Sequence, residues 1–383
     1  MLQANLPWLQ RMFEVDAAEA RGDAVGALAL MEDMPTGPDG RAWWRPERWR
    51  RLRQLAALGE DAPAWVWGRW IVAQAAQATP GRPRLAMEVA IETRGGPGTL
   101  WGVDDFDARA KVIDHDWVYR QLVLHELGGL RTFLRSAPGG VLLDRADGID
   151  SWAEVPMGGY QLRAEHADRI TWLDLGSGEV VETLNLGSAA MMAVGETAVG
   201  RVVRADGSVL FESAPLCVPP DVASRVASAP ASWIDVLTEA CRGEWGDVLS
   251  ELVARMHHFD LLCDLPAGVR RQLIQPLDPG LRSDRVGTGG NGCEYDAALV
   301  LAALGGELPV GEEVNSTSEE IAEELRPLAS LVAAALLEPG TVEAVTPMLL
   351  PSDSTRLQVL ADLMPSPADV VCGRLAEGLV AAA

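Results

Sequence analysis

Lysine occurs once in the 383 residues, at Lys111, and there are only five histidines, five cysteines, five phenylalanines and three tyrosines. Each scarcity excludes something. The cysteines stand apart at Cys217, Cys241, Cys263, Cys293 and Cys372, with no CxxC pair and an odd count. Neither a zinc knuckle nor a disulfide framework fits that spacing, and free thiols suit a reducing compartment. The opening MLQANLPWLQRMFEVD has no basic segment leading into an apolar one, so no signal peptide is expected. The longest apolar run, 328–337, is broken only by Ser330. At about ten residues it is half of what a membrane-spanning helix needs. A cytoplasmic protein with no membrane association is the expectation.

Positive charge is also scarce: 55 acids face 32 bases, for a formal charge of −23. Such a field repels phosphate backbones and anionic lipid, which disfavours bulk nucleic-acid binding. That all bases but one are arginine reads as the codon bias of a GC-rich, bacterial genome.

Apolar residues are abundant, at 48%, enough to offset the entropy of ordering real cores. Their periodicity predicts an α+β protein in three parts. Residues 1–136 read as helical and Trp-rich, with seven of the 13 tryptophans before residue 71. The stretch EARGDAVGALALMEDMP resembles half of a tetratricopeptide-type helical hairpin, but no second copy follows about 34 residues later, so no repeat array is expected. A helix over 116–135 is expected, capped by Asp114 or Asp116.

Residues 137–220 carry short strand-like stretches, among them 141–143, 160–163, 170–175, 180–186, 191–194, 199–204 and 209–212. Asp206-Gly207 is a two-residue hairpin signal, and Gly176-Ser177-Gly178 joins two further strands. A small antiparallel barrel or sandwich is the expectation here. Residues 221–383 return to helical spacing, including one helix over 245–264. Pro327 should split a helix over 317–337, whose start carries capping-box residues in Ser316-Thr-Ser-Glu319.

Four groups of residues are candidates for function. The first is Cys293, in the first turn of a helix, where the dipole favours a thiolate. Its nearby Glu294 opposes that effect. A nucleophilic cysteine needs a base, which His257 or His258 would supply, with Asp260 on the same helical face as His257. This describes a thiol-dependent hydrolase or transferase, although a half-buried cysteine explains the same residues. The second is the glycine loop of Gly287, Gly289, Gly290 and Gly292. It spells GxGxxG before a helix and could hold an anion, yet no apolar strand precedes it as a dinucleotide site requires. A connector is the plainer reading.

The third is Trp43-Trp44-Arg45-Pro-Glu-Arg48-Trp49-Arg50-Arg51, locally basic and aromatic, as a single-stranded nucleic-acid platform would be. Trp43, Trp44, Arg48 and Arg51 serve equally as a surface for a protein partner. The fourth, His125, lies in an apolar helix beside Gly128-Gly129 and reads as a hydrogen-bonded core residue. The glycine pair should break that helix or let another pack closely. No recognised metal spacing or cofactor motif occurs, so neither is expected. The leading reading is a binding or adaptor protein that engages a macromolecular partner, expected to be another protein because the charge disfavours nucleic acid.

Overall fold

The computed structural model describes residues 6–37, 43–78, 83–102, 104–136, 140–256, 259–265, 292–305, 317–338 and 340–382. Helices occupy both ends of the chain, and an antiparallel sheet lies between them.

Local chemistry explains where the first helices begin and end. Helices α1 (Leu6–Ala20) and α2 (Ala24–Glu32) turn at Gly22, whose φ of +74° suits glycine. Asp23 caps α2 by accepting the Gly26 N–H at 2.8 Å. Helix α3 (Pro46–Leu58) starts on a proline, which needs no N–H partner there, and ends at Gly59 with φ +57°.

Helix α4 (Ala64–Ala78) is buried on every side from Trp65 to Ala75, as its apolar sequence requires. Its indoles find acceptors: Trp67 donates to the Ala62 carbonyl at 3.2 Å and Trp70 to that of Glu19 at 3.3 Å. Gly68 in its middle makes room for the ring of Trp152, which is fully buried.

Helices α5 (Pro83–Thr93) and α6 (Asp105–His115) follow, then α7 (Trp117–Gln121). Asp116 caps α7 by accepting the Tyr119 N–H at 2.8 Å. The single helix expected over 116–135 is instead three pieces: α7, a π-turn over Leu122–Glu126, and α8 (Gly129–Ser136). Gly128, at φ +66°, makes the break.

The expected strand at 141–143 is also a helix, α9 (Gly140–Arg145), followed by α10 (Ile149–Trp152). Three consecutive apolar residues fit either period, and burial of Leu142 in the helical core decides it.

The sheet comprises β1 (Gly158–Glu165), β2 (Arg169–Asp174), β3 (Val180–Leu184), β4 (Thr197–Gly200) and β7 (Leu216–Val218), ordered β3-β2-β1-β4-β7 and antiparallel throughout. Strands β5 (Val202–Ala205) and β6 (Ser208–Phe211) form a separate hairpin. It turns at Asp206 and Gly207, both at positive φ, as a type I′ turn demands. The expected barrel is not closed: β3 and β7 are free edges of the sheet, because the 191–194 segment makes turns and not a strand. Phe211 of the hairpin packs edge-on against Tyr160 and Trp172 of the sheet, with both ring separations 5.3 Å.

Helices α11 (Pro220–Ser228), α12 (Trp233–Cys241) and α13 (Gly246–Glu251) come next. A second π-turn, Leu252–Met256, ends α13, so the helix expected to run to 264 stops short. Residues 259–265 are instead non-helical and buried. Helices over Gly292–Gly305, Ser318–Leu325, Ala329–Leu336, Thr341–Val345, Ser354–Leu363 and Ala368–Ala382 complete the described chain. The capping box forms between Thr317 and Glu320, one residue on from the expected Ser316 and Glu319, and Pro327 splits the helices on either side of it. Among the described residues no single helix is long and apolar enough to cross a membrane.

The main apolar core runs from Val15 to Ala376 and draws on all three sequence regions. A second core forms around Trp117 and Trp233, which meet edge-to-face at 5.7 Å.

Candidate binding cleft

A cavity of about 450 Å³ opens where α3, α4, the α6–α7 junction and Phe259 meet. That volume falls in the range of small-molecule sites. Trp43, Trp44, Arg48 and Arg51, the four residues expected to meet a partner, all line it. Helical spacing explains part of this. Glu47 and Arg48 lie four and three positions before Arg51, so each neighbours it on the surface of α3. The proline at Pro46 fixes where that helix begins.

The aromatic residues divide the work. Trp44 is buried, and its indole N–H donates to the carbonyls of Met31 and Met34 at 3.1 and 2.9 Å. Trp43 is partly exposed and packs against Trp8 at a tilt of 46°, the ring centroids 5.5 Å apart. Arg48 lies over the Trp44 ring at 5.4 Å, a cation–π contact.

Most of the cations in the cleft are committed. Arg45 pairs with Asp114 at 2.5 Å. Arg48 pairs with Asp16 at 2.5 Å and with buried Glu19 at 2.7 Å. Burial works against the Arg48 charge, but Glu19 and Asp16 outweigh it and raise its pKa. Arg120, on α7, lies 3.4 Å from Glu212 and covers the Phe259 ring at 3.4 Å. Burial lowers its pKa to about 10.

Arg51 differs from the other three. It makes no hydrogen bond or ion pair among the described residues, and its Nε is sealed from solvent without an acceptor. Burial lowers its pKa, and the more distant Glu19, Glu47 and Asp114 only partly compensate. A guanidinium held in this way is a donor set without an acceptor.

Behind Arg120 a polar network leads to the sheet. Glu212 accepts from Gln121 at 3.0 Å and from Ser213 at 2.8 Å. Arg201 donates to Gln121 at 2.8 Å and to Glu126 at 2.6 Å, and the Trp233 indole donates to Glu126 at 2.9 Å. Burial alone would raise the Glu212 pKa, but Arg120 and these hydrogen bonds hold it at about 2. His125 lies close by in the π-turn. Contrary to expectation it is not hydrogen-bonded among the described residues: both ring nitrogens are buried with no partner there. Burial, with Arg201 adding to it, lowers its pKa to about 3.

Asp260, expected beside His257 on a helical face, is on no helix. It pairs with Arg50, accepts from Gln54 at 3.0 Å and accepts the Leu262 N–H at 2.8 Å. Its carboxylate thus ties α3 to the buried 259–265 segment. His257, His258, Gly287, Gly289 and Gly290 lie outside the described residues, as does the side chain of Cys293. Gly292 and Cys293 begin the helix Gly292–Gly305. Burial raises the pKa of Cys217 to about 11, that of Cys372 to about 12, and that of Cys241 as well. Among the described residues no group of His, Cys, Asp and Glu could hold a metal ion.

Sequence reasoning missed Tyr119, Arg120, Ile113, Asp114 and Phe259. About 70 residues separate the first four from α3, and nothing in a single sequence links them to it. The Asp116 cap did mark the start of the helix that carries Tyr119 and Arg120. No known protein family, curated protein or solved structure matches the chain.

Proposed function

We propose that this is a binding protein whose Trp/Arg cleft receives an anionic group of its partner. One observation carries the reading: a cavity of about 450 Å³ into which α3 presents Arg51 with no partner of its own among the described residues. A buried donor that lacks an acceptor costs stability. Its presence in a cavity of ligand size is accounted for by an acceptor that arrives with a ligand. A macromolecular partner, the expectation from sequence, would insert one group here; a small molecule would occupy the cavity whole.

The same geometry gives less support to a nucleic-acid platform. Arg45 and Arg48 are neutralised by Asp114, Asp16 and Glu19, and carboxylates beside the site oppose a phosphate backbone. For a thiol-dependent enzyme built on Cys293, the side chains concerned lie outside the described residues.

The test is a ligand-observed NMR fragment screen, repeated on Ala76→Phe. Ala76 lines the cavity at its α4 wall and is partly exposed, so the added ring fills the space. Fragments that bind the wild type and are lost in A76F support the reading. A screen without such fragments refutes it.

A further inference from the structure

We infer that the ligand of the cleft is a monoanionic carboxylate joined to an aromatic or similarly bulky apolar body. This rests on the binding reading above and specifies its ligand class. The pairs bear on the ligand's charge. Three of the four lining arginines, Arg45, Arg48 and Arg120, already face Asp114, Asp16 with Glu19, and Glu212. Four carboxylates already balance the four arginines, so there is no excess positive charge to hold a polyanion. Arg51, the one lining arginine with no hydrogen-bond or ion-pair partner among the described residues, lacks an acceptor that a single carboxylate supplies. A dianionic phosphate would bring a second charge against Asp114 and Glu47, which line the same space.

Shape points the same way. A guanidinium is a planar fork that matches a carboxylate through two parallel hydrogen bonds. The lining also includes Tyr119, Ile113, Ala73 and Ala76, apolar surface that favours an apolar ring. The net charge of −23 repels an approaching anion only weakly, because salt screens distant charges while the contact with Arg51 is short and shielded. Two sources offer this chemistry: a free aromatic acid, and a chain terminus ending in an aromatic residue.

Calorimetric titration of the full chain with four probes tests the assignment. They are 3-phenylpropionate, its neutral amide, phenyl phosphate, and N-acetyl-Gly-Phe with a free carboxylate. The carboxylates should bind at least about ten-fold tighter than the amide and tighter than phenyl phosphate. In Arg51→Gln that preference for acid over amide should vanish. Arg51→Lys, which keeps charge but not the fork, should restore part of it. The tighter of the two carboxylates identifies the source.

Equal binding of acid and amide, a preference for phenyl phosphate, or an unchanged acid affinity in R51Q would overturn the ligand class. If the amide or the phosphate still binds and A76F abolishes it, the cleft remains a binding site and only the carboxylate assignment falls. If no probe binds the wild type, both readings fall.

Discussion

Arg69 and Asp264 meet at 2.8 Å across 195 residues of sequence, both side chains withdrawn from water. Arg69 also donates to the Phe211 carbonyl at 2.8 Å. One guanidinium thus joins the central helix α4, the β5–β6 hairpin and the buried 259–265 segment. Removing one member of a buried pair strands the other, which costs about 3–5 kcal/mol. Arg69→Met should therefore lower the urea midpoint strongly, with a loss in that range by equilibrium denaturation.

The same pair sets a pH dependence. Burial outweighs the attraction of Arg69 and raises the Asp264 pKa to about 6. The folded state therefore holds a proton that the unfolded state releases between about pH 4 and 6. Stability from this group is fully present below pH 4 and is lost as pH rises through 6. Asp116, also raised to about 6 by burial despite Arg94 at 2.7 Å, acts in the same direction. Asp264→Asn should flatten the fall in unfolding free energy between pH 4 and 6, measured by urea titration at each pH. An unchanged slope would contradict the assignment.

His125 has the opposite sign. Its pKa of about 3 lies below the ordinary 6.5, so the unfolded chain takes up a proton first as pH falls through 6.5. Stability is present above that value and lost toward pH 3. With both ring nitrogens buried and unpartnered among the described residues, an apolar ring of similar shape removes a desolvation cost. His125→Phe should be at least as stable as wild type at pH 7, and its advantage should widen toward pH 4 in thermal melts.

Gly68 is predicted to tolerate nothing larger. A Cβ there would come within 2.7 Å of the Trp152 ring, which is fully buried and hydrogen-bonded to the Arg204 carbonyl at 2.8 Å. Alanine is the better helix former by about 1 kcal/mol, yet overpacking costs about 1–3 kcal/mol. Gly68→Ala should destabilise, and near-UV circular dichroism should report the displaced indole.

Arg51 offers a trade between stability and function. The residue is half-buried, and its Nε is sealed from solvent without a partner among the described residues. Arg51→Met, which keeps the stem and removes the charge, should raise the melting temperature while abolishing ligand binding. A lower melting temperature would mean that Arg51 holds the fold together.

Some features follow directly from neighbours in sequence. The Asp23 and Asp116 caps, the Thr317 capping box, the Asp206-Gly207 turn and the break at Pro327 are each decided within four or five residues. The 43–51 segment was likewise legible as basic and aromatic. Where the sequence reading erred, local periodicity was ambiguous and packing chose. The 141–143 triplet is helical because Leu142 enters the helical core, and the helix expected to reach 264 stops at Met256, after which Asp260 and Asp264 meet Arg50, Gln54 and Arg69.

The amino-acid order alone determined the helical ends, the antiparallel middle and most of the helix caps, because those depend on hydrogen bonds and side-chain period over a few residues. Only the tertiary structure decided that the sheet stays open, that Arg120 and Tyr119 line the same cleft as α3, and that Arg51 is the lining arginine with no direct partner among the described residues. The first depends on which segments pair along the sheet edges. The others depend on which distant side chains come within a few ångströms of one another, where Coulomb attraction acts. Both are properties of the fold and not of any local stretch of chain.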